Sequence, residues 1–266
     1  MKKIRGFGGR TAGLVGWILI VCALTSCSLA TDGASSAPAS QATRPETSSV
    51  EQVSQTSEID VLSEIRDISP EERELFLKIG DLYGKACTAR EKDEGKLYLE
   101  GDHVKIYQAE IDYLSLALSD TGHVTAESEQ RAVNQMKIEV AFLWAAEQEG
   151  FSLSEQELAR LGETSIESYT NPEDPFYPGN RVMLEGSGLS EEEYFNCLRE
   201  RTKKTYLVNQ YADSKFSQWY DTWEQTEATQ VESWTDGINS TVNAAWAEEQ
   251  LRMAEEILAA DHAELC

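Results

Sequence analysis

Three histidines are the side chains of this sequence best suited to acid–base or metal chemistry. His103, His123 and His262 are far apart in the chain, and none stands at the spacing of a metal-ligand pair. His103 falls in a predicted turn and His123 just before a helix cap, so surface or capping roles are favoured. The sequence also lacks G-x-S-x-G, Gly-rich phosphate-loop and Cys-x-x-Cys patterns. We therefore predict no catalytic residue, no metal site and no cofactor.

Cys27 stands in a context with a defined covalent chemistry. It follows Leu24-Thr25-Ser26 at the end of an apolar run, and basic residues precede that run. The run is too short for a membrane-spanning helix of about 20 residues and is typical of a signal peptide. The Leu-Thr-Ser-Cys ending resembles a bacterial lipobox, in which the cysteine is diacylated and becomes the mature N-terminus. An ordinary signal peptide with a chance cysteine is the alternative.

These features predict a lipoprotein signal peptide over residues 1–26 and lipid attachment at Cys27. The protein is then expected at the extracytoplasmic face of a bacterial cell membrane, with the lipid bilayer as one partner through the acylated cysteine. Residues 28–58 are rich in Ser, Ala, Thr, Gln and Pro and carry almost no large apolar side chains. Such a segment cannot bury enough surface to fold, so we predict a disordered tether. The folded domain is assigned to residues 59–266.

The other cysteines bear on disulfide chemistry. Once Cys22 is removed with the signal peptide and Cys27 carries lipid, Cys87, Cys197 and Cys266 remain. An extracytoplasmic location permits disulfides, and an odd number leaves one thiol over. Cys266 ends an acidic tail and is a candidate for the free thiol. A bridge between Cys87 and Cys197 stays open, because their spacing does not predict it.

The charge balance is strongly acidic. Removing residues 1–26 takes away four basic and no acidic residues, which leaves 19 Lys+Arg against 47 Asp+Glu and a net charge of −28. This charge argues against nucleic acid and against attraction to anionic lipid headgroups. It either keeps an exported protein soluble or favours a cationic partner. Acidic pairs such as Glu127 with Glu129 are interpreted as solvated helix faces.

The segment from Gln135 to Leu158 predicts the element around which the domain is built. Its apolar residues recur at helical spacing over most of the helix circumference, which is typical of a central buried helix. Gly150 is predicted as a left-handed cap with Phe151 as the contact beyond it. Ser154 and Glu157 then predict a capping box that starts the next helix. Together these signals predict a tight helical corner.

The remaining elements are predicted from the same signals. Further helices are expected from Ser69 to about Arg90, over Gln108–Leu118, from Ser154 to about Tyr169, from Ser190 onward, and over Val242 to about Ala259. Residues 97–99 and 104–106 predict one short hairpin. Asn171 to Gly188 holds three prolines and three glycines and is interpreted as a long irregular connection. The fold class is thus all-α, with about six helices and at most one short β-hairpin.

Three stretches resemble the N-terminal chaperone domain of SurA/PrsA-type extracytoplasmic foldases. They are the corner within Gln135–Leu158, the strand–turn–helix opening over Leu97–Ile111, and the Gly188-Leu189-Ser190 start of a long helix. The resemblance covers roughly Lys96 to Ser217. It implies a SurA N-terminal-like helical domain, in which a C-terminal helix returns to pack on the core. Here that helix could equally be a local hairpin partner of the long helix.

The resemblance also implies which activities to expect. In that family a parvulin domain follows the chaperone domain, but only about fifty residues follow Ser217 here, so prolyl isomerase activity is not expected. An apolar surface that holds unfolded or exported polypeptides is expected instead, since apolar contacts tolerate many sequences. The alternative for each candidate side chain is simple core packing. The candidate peptide-binding residues are Phe176, Tyr177, Met183, Trp219, Trp223 and Trp234.

Two functions follow from these expectations. The first is a membrane-anchored chaperone or holdase without prolyl isomerase activity. The second is a lipoprotein dedicated to one folded partner or envelope component, to which the charge of −28 would be suited if the partner is basic. An enzyme is the least favoured class. Fold alone does not decide between the first two.

Overall fold

Helices make up most of the computed structural model, which describes residues 68–227 and 236–266. Over those residues the chain forms seven helices and one three-stranded sheet. The elements are α1 (Pro70–Lys92), β1 (Leu97–Glu100), β2 (Lys105–Tyr107), α2 (Gln108–Ala117), α3 (Ala126–Gln148), α4 (Glu155–Thr170), α5 (Tyr177–Ser187), α6 (Glu191–Glu227), α7 (Asp236–Ala260) and β3 (Glu264–Leu265). The predicted all-α class is confirmed, and the predicted hairpin is present as β1 and β2.

Local hydrogen bonds set the helix starts that the sequence predicts. The Ser154 hydroxyl accepts a hydrogen bond from the Glu157 N–H at 3.3 Å, and the Glu157 carboxylate accepts one from the Ser154 N–H at 2.9 Å. Ser190 and Glu193 form the same reciprocal pair before α6, and Ser69 begins α1 in the same way. These contacts satisfy N–H groups that the first helical turn leaves unpaired.

α3 is the central helix, as its broad apolar surface predicts. Met136 and Phe142 are buried within a cluster that draws apolar side chains from α2, α6, α7 and the first two strands. The helix ends where Gly150 adopts a φ of +82° and the Phe151 N–H donates to the Ala146 carbonyl at 2.9 Å. A helix that is apolar on several sides needs such neighbours on several sides, and the structure supplies them.

The interpretation of Asn171 to Gly188 as an irregular connection is wrong for most of its length, because Tyr177–Ser187 form α5. Pro178 lies in the first turn of α5, where the helix has no intrahelical partner for the missing N–H. Prolines and glycines therefore suggested a loop where the chain is helical. α5 ends at a residue in the left-handed conformation, since Gly188 has a φ of +68°.

α5 packs against α1 at unusually short range. A Cβ atom on Gly80 would lie 2.1 Å from the Met183 carbonyl oxygen, and one on Gly84 would lie 2.1 Å from the Ser187 carbonyl oxygen. Gly186 of α5 approaches the backbone of Leu77 in the same manner. Glycine is required here because the two helix backbones leave no space for a side chain. The Gly80-x-x-x-Gly84 spacing was the available sequence signal for this contact.

The C-terminal segment completes the sheet. β3 pairs with β1 in antiparallel register, so the sheet order is β2-β1-β3. The Cys266 N–H donates to the Tyr98 carbonyl at 3.1 Å, and the Asp102 N–H donates to the Asp261 carbonyl at 2.9 Å. α7 packs on α3 and also contacts α6 through Trp246, so both predicted positions of the last helix are realised together. The third strand was not predicted.

A disulfide joins Cys87 of α1 to Cys197 of α6, with 6.1 Å between the two Cα atoms. The bridge that the sequence left open is therefore formed, and it closes a separation of 110 residues. Cys266 is free and exposed, as expected for the odd cysteine.

Candidate functional site

The structure divides the predicted peptide-binding residues between two regions. Met183 belongs to the clusters that join α5 to α1 and to the start of α6 around Tyr194. Trp219 lies 25 residues further along α6, which is roughly 37 Å of helix at 1.5 Å per residue. Phe176 and Tyr177 stand at the N-terminus of α5, so they share the region of Met183. Trp234 and Cys27 lie outside the described residues.

Trp219 and Trp223 are brought together in an aromatic cluster near the end of α6. Their ring centroids are 5.9 Å apart, and Trp246 of α7 lies 5.1 Å from Trp219. Phe216 and Tyr220 complete the cluster, with ring centroids 5.7 Å apart. All five side chains are only partly buried. The aromatic cluster is defined by these residues, and it is a part-exposed apolar surface built from two helices.

Sequence reasoning missed three members of this cluster. Phe216, Trp219, Tyr220 and Trp223 recur at spacings of three and four, which places them on one face of a helix. That spacing was a usable signal for Phe216 and Tyr220. Trp246 gave no such signal, because only the packing of α7 beside α6 brings its ring within 5.2 Å of the Phe216 ring.

Contacts at the end of α3 hold the part of α6 from which the cluster extends. Lys215 donates to the Glu149 carboxylate at 2.7 Å, and its Nζ lies 4.7 Å from the centre of the Tyr211 ring. The hydrogen bond that Lys215 donates to Glu149 raises the pKa of Lys215, so its ammonium stays charged. The Tyr211 ring in turn packs on Phe142 and Phe151. The cluster is therefore attached to the core of the domain at its base.

A separate site, the charged cleft, lies between α1, α2, α3 and α6. Its volume is about 260 Å³, and its apolar wall includes Ala86, Met136 and the Cys87–Cys197 disulfide. Charged and hydroxyl-bearing side chains complete the lining. They include Tyr83, Arg90, Glu110, Glu139, Arg201 and Lys204. These residues come from four separate helices, so no local motif in the sequence could have identified the site.

Charged side chains within the cleft shift one another's pKa values. Arg90 donates from Nε to the Glu110 carboxylate at 2.6 Å, and Glu110 also accepts from the Tyr107 N–H at 3.0 Å. Burial raises the pKa of Glu110, and the charge of Arg90 opposes that shift. Burial lowers the pKa of Lys204, and the neighbouring Arg90 charge lowers it further. A negative charge near Lys204 would therefore stabilise its protonated, positively charged form.

Two of the histidines lie together at the hairpin turn. His103 Nδ1 is 2.6 Å from Asp261 Oδ1, and its ring stacks on Trp144 at 5.4 Å. His262 Nδ1 is 2.9 Å from Asp102 Oδ2. Within residues 68–227 and 236–266, no group of His, Cys, Asp and Glu side chains has the arrangement of a metal site. These histidines thus serve to hold the C-terminal segment against the hairpin.

No protein-family model, curated protein or solved structure matches this chain. The resemblance to SurA/PrsA-type foldases thus stays a prediction that rests on the motifs quoted above. Among the helices that the structure describes, none is both long enough and apolar enough to span a membrane.

Proposed function

We propose that this protein is a lipid-anchored extracytoplasmic binding protein that holds unfolded or exported polypeptides at the aromatic cluster. The observation that carries the proposal is the group of five part-exposed rings on α6 and α7. Aromatic rings offer large contact areas with little loss of side-chain entropy. Their contacts are mostly non-directional, so they accept many client sequences. The protein acts by binding, without prolyl isomerase or other catalytic activity.

The anchor and the charge support the same proposal. A lipobox ending at Cys27 directs the chain to the outer face of the membrane, where exported polypeptides emerge. A net charge of −28 keeps the mature protein soluble and favours clients with apolar and basic segments. The aromatic cluster supplies the apolar part of such a contact.

An aggregation assay tests the holdase activity. The full chain, purified in detergent, is expected to slow the aggregation of an unrelated unfolding protein. A double variant, Trp219→Ala with Trp223→Ala, should lose this effect while keeping its circular dichroism spectrum. Tyr206→Ala is the matched control, since it removes a part-buried ring of α6 that lies outside the aromatic cluster. Unchanged aggregation at molar excess of wild-type protein would overturn the proposal.

The lipid anchor is tested separately. Cys27→Ser should move the chain from the membrane fraction to the soluble fraction and abolish labelling by a radioactive fatty acid. Cys266→Ser, which changes the exposed free cysteine, should leave both unchanged. Continued membrane association and labelling of the Cys27→Ser variant would contradict the proposed anchor.

The net charge favours a second candidate function, a dedicated interaction with one basic folded partner. Crosslinking in cells separates the two functions. One saturable crosslinked species would support the dedicated partner, whereas a broad distribution of crosslinked polypeptides would support the holdase.

A further inference from the structure

The charged cleft contains a buried donor that the fold leaves unused. Tyr83 is 5% exposed, and its hydroxyl has no hydrogen-bond partner among the described residues. Burial raises the pKa of this hydroxyl far above its ordinary value, although the charge of Arg201 opposes the shift. The hydroxyl therefore keeps its proton. A buried polar group of this kind costs stability unless something bonds to it.

Three cationic side chains, Arg90, Arg201 and Lys204, line the cleft. Arg90 is paired with Glu110 in an ion pair, so these two charges offset each other. Arg201 and Lys204 line the cleft together with Glu139, and burial lowers the pKa of Lys204, so a negatively charged ligand near Lys204 would stabilise its charged form. Both cationic side chains are partly buried, so solvent screens them less than it screens surface charges.

The exposed residues of the cleft include negatively charged side chains. Glu91, Glu193 and Glu200 line the same cleft and are exposed. Met136 and the Cys87–Cys197 disulfide form the apolar part of the lining. The cleft thus combines partly buried cations, an apolar wall and exposed carboxylates.

We propose that the charged cleft is a binding site for a small zwitterion, namely a free amino acid with an aliphatic or aromatic side chain. Its carboxylate accepts hydrogen bonds from Tyr83 and Lys204 and faces Arg201. Its ammonium group faces the exposed glutamates, and its side chain lies on the apolar wall. The volume of about 260 Å³ suits a ligand of this size, because pockets for drug-sized ligands reach roughly 300–1,000 Å³.

Binding of this ligand is independent of the aromatic cluster. Tyr83 and Lys204 belong to the body of the domain, and the cluster begins at Phe216 further along α6. Loss of client binding in the Trp219 and Trp223 variant would therefore leave amino-acid binding intact. Failure of one proposal does not decide the other.

Calorimetric titration of the full chain in detergent tests the proposed ligand. Free leucine or phenylalanine should bind saturably at one site per chain. N-acetyl-leucine lacks the ammonium and leucinamide lacks the carboxylate, so each should bind at least about tenfold more weakly than leucine. The absence of saturable binding for both amino acids would overturn the proposal. So would an analogue that binds as tightly as leucine.

Variants of the cleft test the orientation of the ligand. Lys204→Gln should weaken leucine binding by about tenfold or more, and Tyr83→Phe by a few-fold, because each removes one donor to the carboxylate. Lys78→Gln is the matched control, since Lys78 is exposed on α1 and does not line the cleft. Tyr83→Phe should keep or raise the urea midpoint of wild type, because the lost hydroxyl is buried without a partner. Wild-type affinity in both cleft variants would overturn the assignment.

Discussion

Asp261 Oδ1 lies 2.6 Å from His103 Nδ1, although the two residues are 158 positions apart in the sequence. The side chain of Asp261 is completely buried, and its second oxygen accepts hydrogen bonds from the backbone N–H groups of His103 and Val104, each at 3.1 Å. One carboxylate at the end of α7 therefore closes the turn between β1 and β2. A second pair, His262 with Asp102, also joins the C-terminal segment to the hairpin turn. In this pair the histidine belongs to the C-terminal segment and the carboxylate to the turn.

Asp261→Ala is expected to lower the free energy of unfolding by about 3 kcal/mol, because it leaves two backbone donors and a histidine without their acceptor. Asp102→Ala should change it by no more than about 0.5 kcal/mol, since the Asp102–His262 pair is exposed. Urea unfolding of the two variants and the wild type measures both values. Equal costs for Asp261 and Asp102 would contradict the assigned role of the buried carboxylate.

The contribution of Asp261 to the free energy of unfolding should depend on pH. Burial acts to raise the pKa of this carboxyl, but the hydrogen bonds from His103 and Val104 outweigh burial and lower it. A lowered native pKa stabilises the fold fully above the unfolded value of about 3.9, and that stability is lost as the pH falls through the native pKa. The difference in unfolding free energy between wild type and Asp261→Ala should therefore shrink as the pH falls from 6 to 3. A pH-independent difference would refute this linkage.

Two Gly→Ala substitutions are expected to have opposite effects, because Gly80 lies in the contact between α1 and α5 whereas Gly162 of α4 lies outside it. Gly80→Ala should destabilise the protein by about 3 kcal/mol or prevent folding, because the new Cβ would lie 2.1 Å from the Met183 carbonyl oxygen. Gly162→Ala should stabilise it by about 0.5 kcal/mol, because that helical site meets only the Arg199 side chain at 3.7 Å. Thermal unfolding of both variants gives the comparison. A stable Gly80→Ala protein would show that the two helices can separate.

The disulfide should contribute strongly to stability. Cys87→Ala combined with Cys197→Ala is expected to cost about 4 kcal/mol, because the bridge closes a separation of 110 residues in the unfolded chain. Reductant should shift the urea midpoint of wild type in the same direction and leave the double variant unchanged. Cys266→Ser, which alters the free cysteine, serves as the control. If reductant has no effect on wild type, the bridge is not formed in solution.

Local features of the fold were predictable from the sequence. The reciprocal bonds of Ser154 with Glu157 span three residues, so their formation depends on little beyond the helix itself. The left-handed end at Gly150 is local in the same sense. α5 was missed because Pro178 and the neighbouring glycines favour a turn when they are considered alone. Packing against α1 overrides that preference.

The candidate sites were predicted only in part. The spacing of Trp219 and Trp223 places them on one helix face, and the structure brings their rings together. The charged cleft has no comparable signal, because Tyr83, Glu110 and Lys204 belong to three different helices. A single sequence carries no information on which polar residues of separate helices will share a cavity.

The sequence by itself determined the class of the fold, the central position of α3 and the capped starts of α1, α3, α4 and α6. These features depend on apolar periodicity and on hydrogen bonds that span a few residues. Only the tertiary structure decided that Cys87 meets Cys197, that Asp261 meets His103 and that α5 lies against α1. Such contacts join residues about 100 or more positions apart. Their formation depends on how whole helices pack, because packing fixes which distant side chains share the same space.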